Sequence, residues 1–402
     1  MRKNVILVLV ILSVSAGLFG QYSYNLSMFE PVIIDARAEA LGRTSILSST
    51  GANFIFNNPA MLSNLAQNNI QFTGRVRFGK DELKEKYDNE TDKIEFKYLI
   101  HMKLNGLSFG MPFFMSDNKD LKLGFGIGYR TYFDWGYNMH YEDEDSDYEY
   151  DIKYHGGLST LVLGSGLNYQ NKFFGGVSIS FPFLSNISSE YENNDGAKNE
   201  TEGTMKGTFF TLSGSYIVNE KITIGARIRT GFTLKWEEED DDGDKFKYDI
   251  IIPSEFGLAI EMKPNTSLKL YAEYLTRGFG NYKIETDYGD FDFYGDSNNG
   301  YSIRTGFEVG TSNVFRGGFF MQSVPIYELR YFDDSYPVYD KKPQTEIGFT
   351  AGFGVKINPN LSLDIFGAYS FLNYDESYDD DWREQISNDY SFSRIKIGCS
   401  MG

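Results

Sequence analysis

The chain is poor in the residues that do chemistry. Its 402 residues include one cysteine, Cys399, and three histidines, His101, His140 and His155. A single cysteine excludes an intrachain disulfide. Three scattered histidines, with neither an H-E-x-x-H helix nor a G-x-S-x-G elbow, supply no metalloprotease site and no hydrolytic triad. No enzymatic activity, metal or cofactor is therefore expected. Proline is also scarce, at 10 residues, and tryptophan is confined to Trp135, Trp236 and Trp382. Past the N-terminus there is no long apolar run, which excludes membrane-spanning helices. Positive excess is absent too: the formal net charge is −18, which argues against a nucleic-acid partner.

What is abundant is glycine and aromatic residues, with 41 Gly, 34 Phe and 29 Tyr. Glycine with aromatics and little proline suits a large antiparallel barrel. The acidity is local. Residues 141–151, 237–244 and 375–384 hold 20 of the 56 acids and one of the 38 bases, leaving 36 acids against 37 bases elsewhere. These patches read as solvated loops rather than a Ca²⁺ site, because runs of like charge repel and stay wet. His140 and His155 flank the first patch without metal-ligand spacing.

The first twenty residues have a different character. Arg2 and Lys3 precede the apolar run Val5 to Val14, and small residues follow up to Gly20. This predicts a secretory signal peptide over 1–20, and with it an outer-membrane destination in a Gram-negative envelope. Residues 21–68 form a second unit and 69–402 a third.

From Asn69 onward one rhythm repeats: a long alternating run, a loop, another run, a tight turn. Fourteen such runs lie between 69 and 401. Short turns alternate with long acidic connections, the pattern of a transmembrane β-barrel, with the acid patches outside and both barrel ends in the periplasm. Several runs exceed the roughly 9–11 residues a strand needs to cross a bilayer, so they should project beyond it. Phase within the runs sets the faces. In 222–232, Ile222, Ile224, Ala226, Ile228 and Phe232 share one side, while Thr223, Gly225, Arg227 and Arg229 share the other. Slipping by one residue would drive both arginines into lipid at roughly 2–4 kcal/mol each near the midplane. The segment 346–357 splits in the same way, and 394–401 puts Cys399 on the lipid face. The tryptophans adjoin the acid patches, where an outer aromatic girdle belongs.

Residues 21–68 look unlike the rest. "DARAEALG" (35–42) predicts a short helix ending at Gly42, and Asn58-Pro59 opens a second, with Asn58 as the cap and Pro59 at the first helical position. A fourteen-stranded barrel has a lumen that something must occupy. The segment is expected to be a plug within it, approached by the inward glycines Gly124, Gly126 and Gly128. By phase Arg75, Arg77, Arg130, Arg227, Arg229, Arg304, Arg316 and Arg394 also face the lumen. There they either hold a carboxylate head group or pair with acids such as Asp35, Glu39, Glu308 and Asp364. Asp134 and Gly136 mark either a bend near the outer end of the third strand or an ordinary rim glycine.

"ALGRTSILSSTGANFIFNNPAMLSNL" (40–65) resembles the plug of the FadL/TodX long-chain fatty acid transport family through Gly42-Arg43 and the Asn58-Pro59-Ala60 motif. The similarity continues through 253–274, 301–310 and 350–371. The chain departs from the family at "SSTGAN" (48–53), where the plug usually carries an acidic pair, and in its Met401-Gly402 end. The resemblance implies a fourteen-stranded outer-membrane barrel surrounded by lipid. It also implies passive uptake of a hydrophobic small-molecule ligand such as a long-chain fatty acid, with plug movement and lateral exit beside a kinked third strand. Gly42, Arg43, Asn58, Pro59 and Ala60 would then serve gating, and Asp134 and Gly136 the lateral opening. PorV-like relatives imply the alternative, a barrel that binds secreted proteins in a type nine secretion pathway. A general porin is a third reading.

Overall fold

The computed structural model describes residues 32–402 except 88–89, 98–100, 115–119, 135, 144–148, 194–197, 241–242, 244, 279–282, 287–288, 293–299, 325–343, 359–360 and 381–382. The expected signal peptide, the first part of the plug, Trp135 and Trp382 lie outside the described residues. So do the side chains of Arg77 and Arg394.

The alternating runs pair with their neighbours into one closed antiparallel barrel of fourteen strands. Many strands consist of two collinear segments. In chain order they are β1 (Asn69–Tyr87), then β2 (Glu90–Lys97) with β3 (His101–Phe114), and β4 (Leu121–Thr131) with β5 (Tyr137–Asp143). Next come β6 (Glu149–Gly156) with β7 (Ser159–Tyr169), β8 (Phe173–Pro182) with β9 (Asn186–Asn193), and β10 (Lys198–Lys206) with β11 (Phe209–Asn219). These are followed by β12 (Ile222–Arg229) with β13 (Phe232–Asp240), β14 (Lys245–Ile252) with β15 (Glu255–Asn265), and β16 (Leu268–Arg277) with β17 (Lys283–Thr286). The last are β18 (Gly289–Asp292) with β19 (Gly300–Val309), β20 (Asn313–Val324), β21 (Gln344–Asn358), β22 (Leu361–Asp380) and β23 (Arg383–Met401). Pairing of β1 with β23, from Phe72–Met401 to Gly79–Arg394, closes the seam.

The faces follow the phase of the sequence. On β12, Thr223, Gly225, Arg227 and Arg229 are buried, while Ile224 and Ile228 stand exposed. Exposed large apolar residues ring the lower tier, from Phe113, Phe173 and Phe315 near the short turns up to Phe210, Phe256 and Phe349. That ring is the lipid-facing belt, and its rims are Phe and Tyr. Trp236 stands further out on β13, past Ile228 and opposite Tyr248, rather than in the belt.

Two expectations change. The acid-rich connections are not loops for most of their length. They continue as β-ribbons that pair with one another (β2 with β5, β6 with β9, β10 with β13, β14 with β17) and extend the wall outward. Cross-strand pairs such as Lys245–Glu239 (2.8 Å) offset part of the repulsion among the acids. Phe232 does not face lipid. The strand breaks at Thr230–Gly231, the phase flips, and Phe232 turns into the lumen.

That break belongs to a series. Strands three to eight are all interrupted at the same height: at 132–136, 157–158, 183–185, 207–208, 230–231 and 253–254. Each of these interruptions has a Gly or Pro in or beside it: Gly136, Gly157, Pro182, Gly207, Gly231 and Pro253. Proline cannot donate to the ladder, and glycine admits a bulge or a close approach. The interruptions separate the lipid-facing tier from the outer ribbons.

Candidate functional site

Inside the lower tier sits the segment from Val32 to Asn68. The sequence 35–42 forms helix α1 (Ala36–Ala40). Asp35 caps it by accepting from the Arg37 amide at 2.9 Å, and Gly42 ends it with φ +69°. A 3₁₀ turn (Gly51–Asn53), a helical turn α2 (Phe54–Asn57) and a second 3₁₀ helix (Pro59–Asn64) follow. Pro59 occupies the first helical position, as expected. Asn58 does not cap: its side-chain amide donates to Ile46 O (2.7 Å) and Ser215 Oγ (3.0 Å), tying two parts of the segment to the wall.

The inward glycines are where the segment touches the barrel. A Cβ on Gly124 would lie 2.2 Å from Leu62 O, and one on Gly128 would lie 2.7 Å from the Phe56 ring. One on Gly176 would meet Ala60 N at 2.2 Å, and one on Gly318 would meet Gly42 N at 2.0 Å. Backbone therefore packs directly on backbone around the bore. An apolar cluster of Val32, Ile34, Ile55, Phe56, Leu62 and Val162 fills the space between.

Polar groups fasten the same interface. Arg37 donates to Glu308 (2.7 Å), to the Tyr271 hydroxyl (2.7 Å) and to Ser48 O. Glu308 also receives Lys269 (2.9 Å) and Arg316 (2.8 Å), and Arg316 reaches Asp364 (2.7 Å). Arg43 lies 3.4 Å from Glu39 and 3.9 Å from Glu346, above the Phe320 ring. Its carbonyl accepts from Arg304 (2.9 Å). Glu273 accepts the Ser45 and Ile46 amides at 2.7 Å each, and the Ala60 amide donates to Ser213 Oγ (3.0 Å). Below this layer, towards the short turns, a polar vestibule of about 470 Å³ opens, lined by Arg37, Lys269, Glu308, Arg316 and Asp364 among others.

The lumen arginines divide into paired and unpaired. Arg227 and Arg229 share Glu255, which also takes Arg277 (2.7 Å). Arg304 reaches Glu273 (3.4 Å). Arg75 reaches Asp134 (3.0 Å). Of Arg77 the backbone pairs with Lys396 and His101. Arg130 differs: among the described residues its one polar contact is the Phe56 carbonyl at 3.5 Å, and its guanidinium lies against the rings of Tyr132 (4.6 Å), Phe56 (5.6 Å) and Phe209 (5.6 Å).

Above Arg130 the third strand leaves the wall. Thr131, Tyr132, Phe133 and Asp134 are all buried, which no strand lying in a two-faced wall allows. Asp134 and Gly136 both fall between the end of β4 and the start of β5. Asp134 reaches over β3 to Arg75 on β1 and pins the bend inward. On the other side Gly157 (φ +136°) makes room: a Cβ there would lie 2.3 Å from Phe133 O. Val32 donates to Tyr132 O (2.9 Å), joining the plug to the bend. Tyr132, Phe133, Phe209 and Phe232 pack into one aromatic cluster over the plug, with Tyr132–Phe209 at 4.7 Å and Phe209–Phe232 at 4.8 Å.

The bend also opens the ladder. Strands two and three pair up to Gly106–Arg130 and resume at Lys97–Asn138. No β-bridge joins the intervening described residues of the two strands. Leu104, at the edge of this gap, is exposed on the lipid side.

Fold and contents together define a plugged transmembrane β-barrel whose third strand folds inward over the plug. No protein-family model and no curated protein matches the chain in sequence. Solved structures do match its fold. A FadL homologue of Pseudomonas aeruginosa superposes with a TM-score of 0.61 at 11% identity, covering 92% of this chain and 98% of its own. The P. putida toluene transporter TodX gives 0.57 at 13% identity, covering 92% and 98%. The Ralstonia pickettii toluene transporter TbuX gives 0.52 at 12% identity, covering 94% and 99%. The fold is thus that of the FadL-type barrels.

Proposed function

We propose that this chain is an outer-membrane passive transporter of hydrophobic compounds such as long-chain fatty acids, with lateral exit at the bend of the third strand. The observation that carries the reading is the coincidence of an aromatic cluster in the lumen with a break in the wall ladder beside it. An apolar solute arriving from outside meets Tyr132, Phe133, Phe209 and Phe232 before it meets the plug. Straight passage is unfavourable, because the plug packs backbone to backbone on the wall and a charged vestibule lies beneath it. The gap between strands two and three lies at the outer rim of the lipid-facing belt, so a solute leaving there stays in apolar surroundings. A small shift of Val32 and the segment behind it, away from Tyr132, is the plug movement this route needs.

Arg227 and Arg229 already share Glu255, so a cargo carboxylate would have to compete with an internal one. The porin reading is disfavoured by the filled bore. The test compares labelled oleate with labelled glucose entry into proteoliposomes containing the mature chain. Oleate should enter and glucose should not. Glucose flux without oleate flux would sink the reading.

A further inference from the structure

Between the plug and the wall, beneath the aromatic cluster, lies a second cavity of about 20 Å³. Its charged lining is lopsided: Arg130, Arg227, Arg229, Arg277 and Arg304 against the single acid Glu255. Among the described residues, Arg227, Arg229 and Arg277 share Glu255 and Arg304 reaches Glu273, while Arg130 pairs with no acid. Guanidinium does not shed its proton in a protein, so the imbalance is not relieved by titration. Hydrogen bonding is incomplete in the same place. Arg130 Nε and Nη2, Arg227 Nε and Arg229 Nε are buried without a hydrogen-bond partner among the described residues. Arg130 is 98% buried, and it lines the cavity.

We infer that this cavity binds a small monovalent anion of halide size, a counter-ion that fastens the plug to the barrel. Size selects the occupant. The centre of a water-sized sphere can move within only about 20 Å³ here, which suits one compact ion or water. Charge then selects the halide over water, since water satisfies donors but does not offset buried like charge. The apolar rim of Val32, Ile33 and Leu275 suits a weakly hydrated anion. A chain-bearing carboxylate has no entry from above, because Tyr132 and Phe209 cover the Arg130 guanidinium. The ion would sit where Arg227 meets plug residues Ser45 (3.2 Å) and Asn57 (3.1 Å), so it bridges plug and wall. This inference is independent of what the barrel carries.

Crystals of the mature barrel grown in sodium bromide provide the test. An anomalous bromide peak touching Arg130 and Arg227 is expected. Ordered water or a ligand carboxylate at that position overturns the proposal. In solution, with ionic strength held constant, each tenfold rise in bromide above its Kd should raise the folded-to-unfolded ratio about tenfold, and gluconate should not. Arg130→Gln should abolish that dependence. If that variant does not fold, the wild-type anomalous map decides alone.

Discussion

At the scale of the residue, glycines in this barrel divide by what faces them. Gly318 meets the plug backbone at Gly42 N, whereas Gly367, on the lipid side, has nothing within 4 Å of a would-be Cβ. Alanine at 318 must push the plug off the wall, because the colliding atom is backbone and has no rotamer to change. Gly318→Ala should cost about 1–3 kcal/mol, the usual range for overpacking. It should also expose Arg37 and Arg43 to trypsin in the folded barrel. Gly367→Ala should leave both the heat-induced unfolding midpoint and the tryptic pattern unchanged. Equal behaviour of the two variants would show that the glycines do not seat the plug. The arginines teach a related lesson. Their inward phase is legible in the alternation, and so are Glu308 and Asp364 as partners, here of Arg316. Glu255, Glu273 and Asp134 are not, because pairing across strands depends on register. The signal was present, however. Glu255 falls on the inward phase of its strand and opposite Arg229 and Arg277 in the ladders.

At the scale of the element, one of the contacts that hold the bend in the third strand is ionic. Arg75 and Asp134 are both buried, so removing one partner leaves the other charge uncompensated, at about 3–5 kcal/mol. Asp134→Asn should loosen Tyr132–Gly136 without unfolding the barrel. The readout is amide exchange at Tyr132, whose N–H donates to Leu158 O at 2.7 Å. Exchange there should rise towards the rate of the outer ribbons, and protection equal to wild type would show that the pin is not ionic. Helix α1 with its terminal Gly42 was legible because capping is local chemistry. The bend was legible only as a choice between a kink and a rim glycine. The series of interruptions is not legible strand by strand, although a Gly or Pro accompanies each one. A single glycine in a strand says little, and the pattern emerges only when neighbouring strands are set in register. Asn58 failed as a cap for the opposite reason, since a tertiary partner, Ser215, won its side chain over the local one.

At the scale of the whole molecule, two tiers share one wall but not one solvent. The lower tier carries the exposed Phe, Leu and Ile, and the upper carries Glu, Asp, Lys and Tyr. The same substitution should therefore have different effects at the two heights. Ile224→Arg, in the belt, should cost about 2–4 kcal/mol. Glu202→Arg, on the ribbon β10, should lie within about 0.5 kcal/mol of neutral. Urea unfolding of the barrel from lipid vesicles measures both. Equal costs would mean that the bilayer reaches the outer ribbons. Strand number and faces were legible because a period of two survives any environment. The height of the bilayer was not, because the same period continues through the ribbons above it.

The backbone-on-backbone seating of the leader segment constrains the order in which the protein is made. Plug backbone fills the room that a side chain at Gly124, Gly176 or Gly318 would need. Entry of the segment into a barrel already closed between β1 and β23 is therefore expected to be slow: a barrel refolded without it should not take up a peptide of residues 21–68 added afterwards, and rapid recovery of the plugged form would show that the wall closes first.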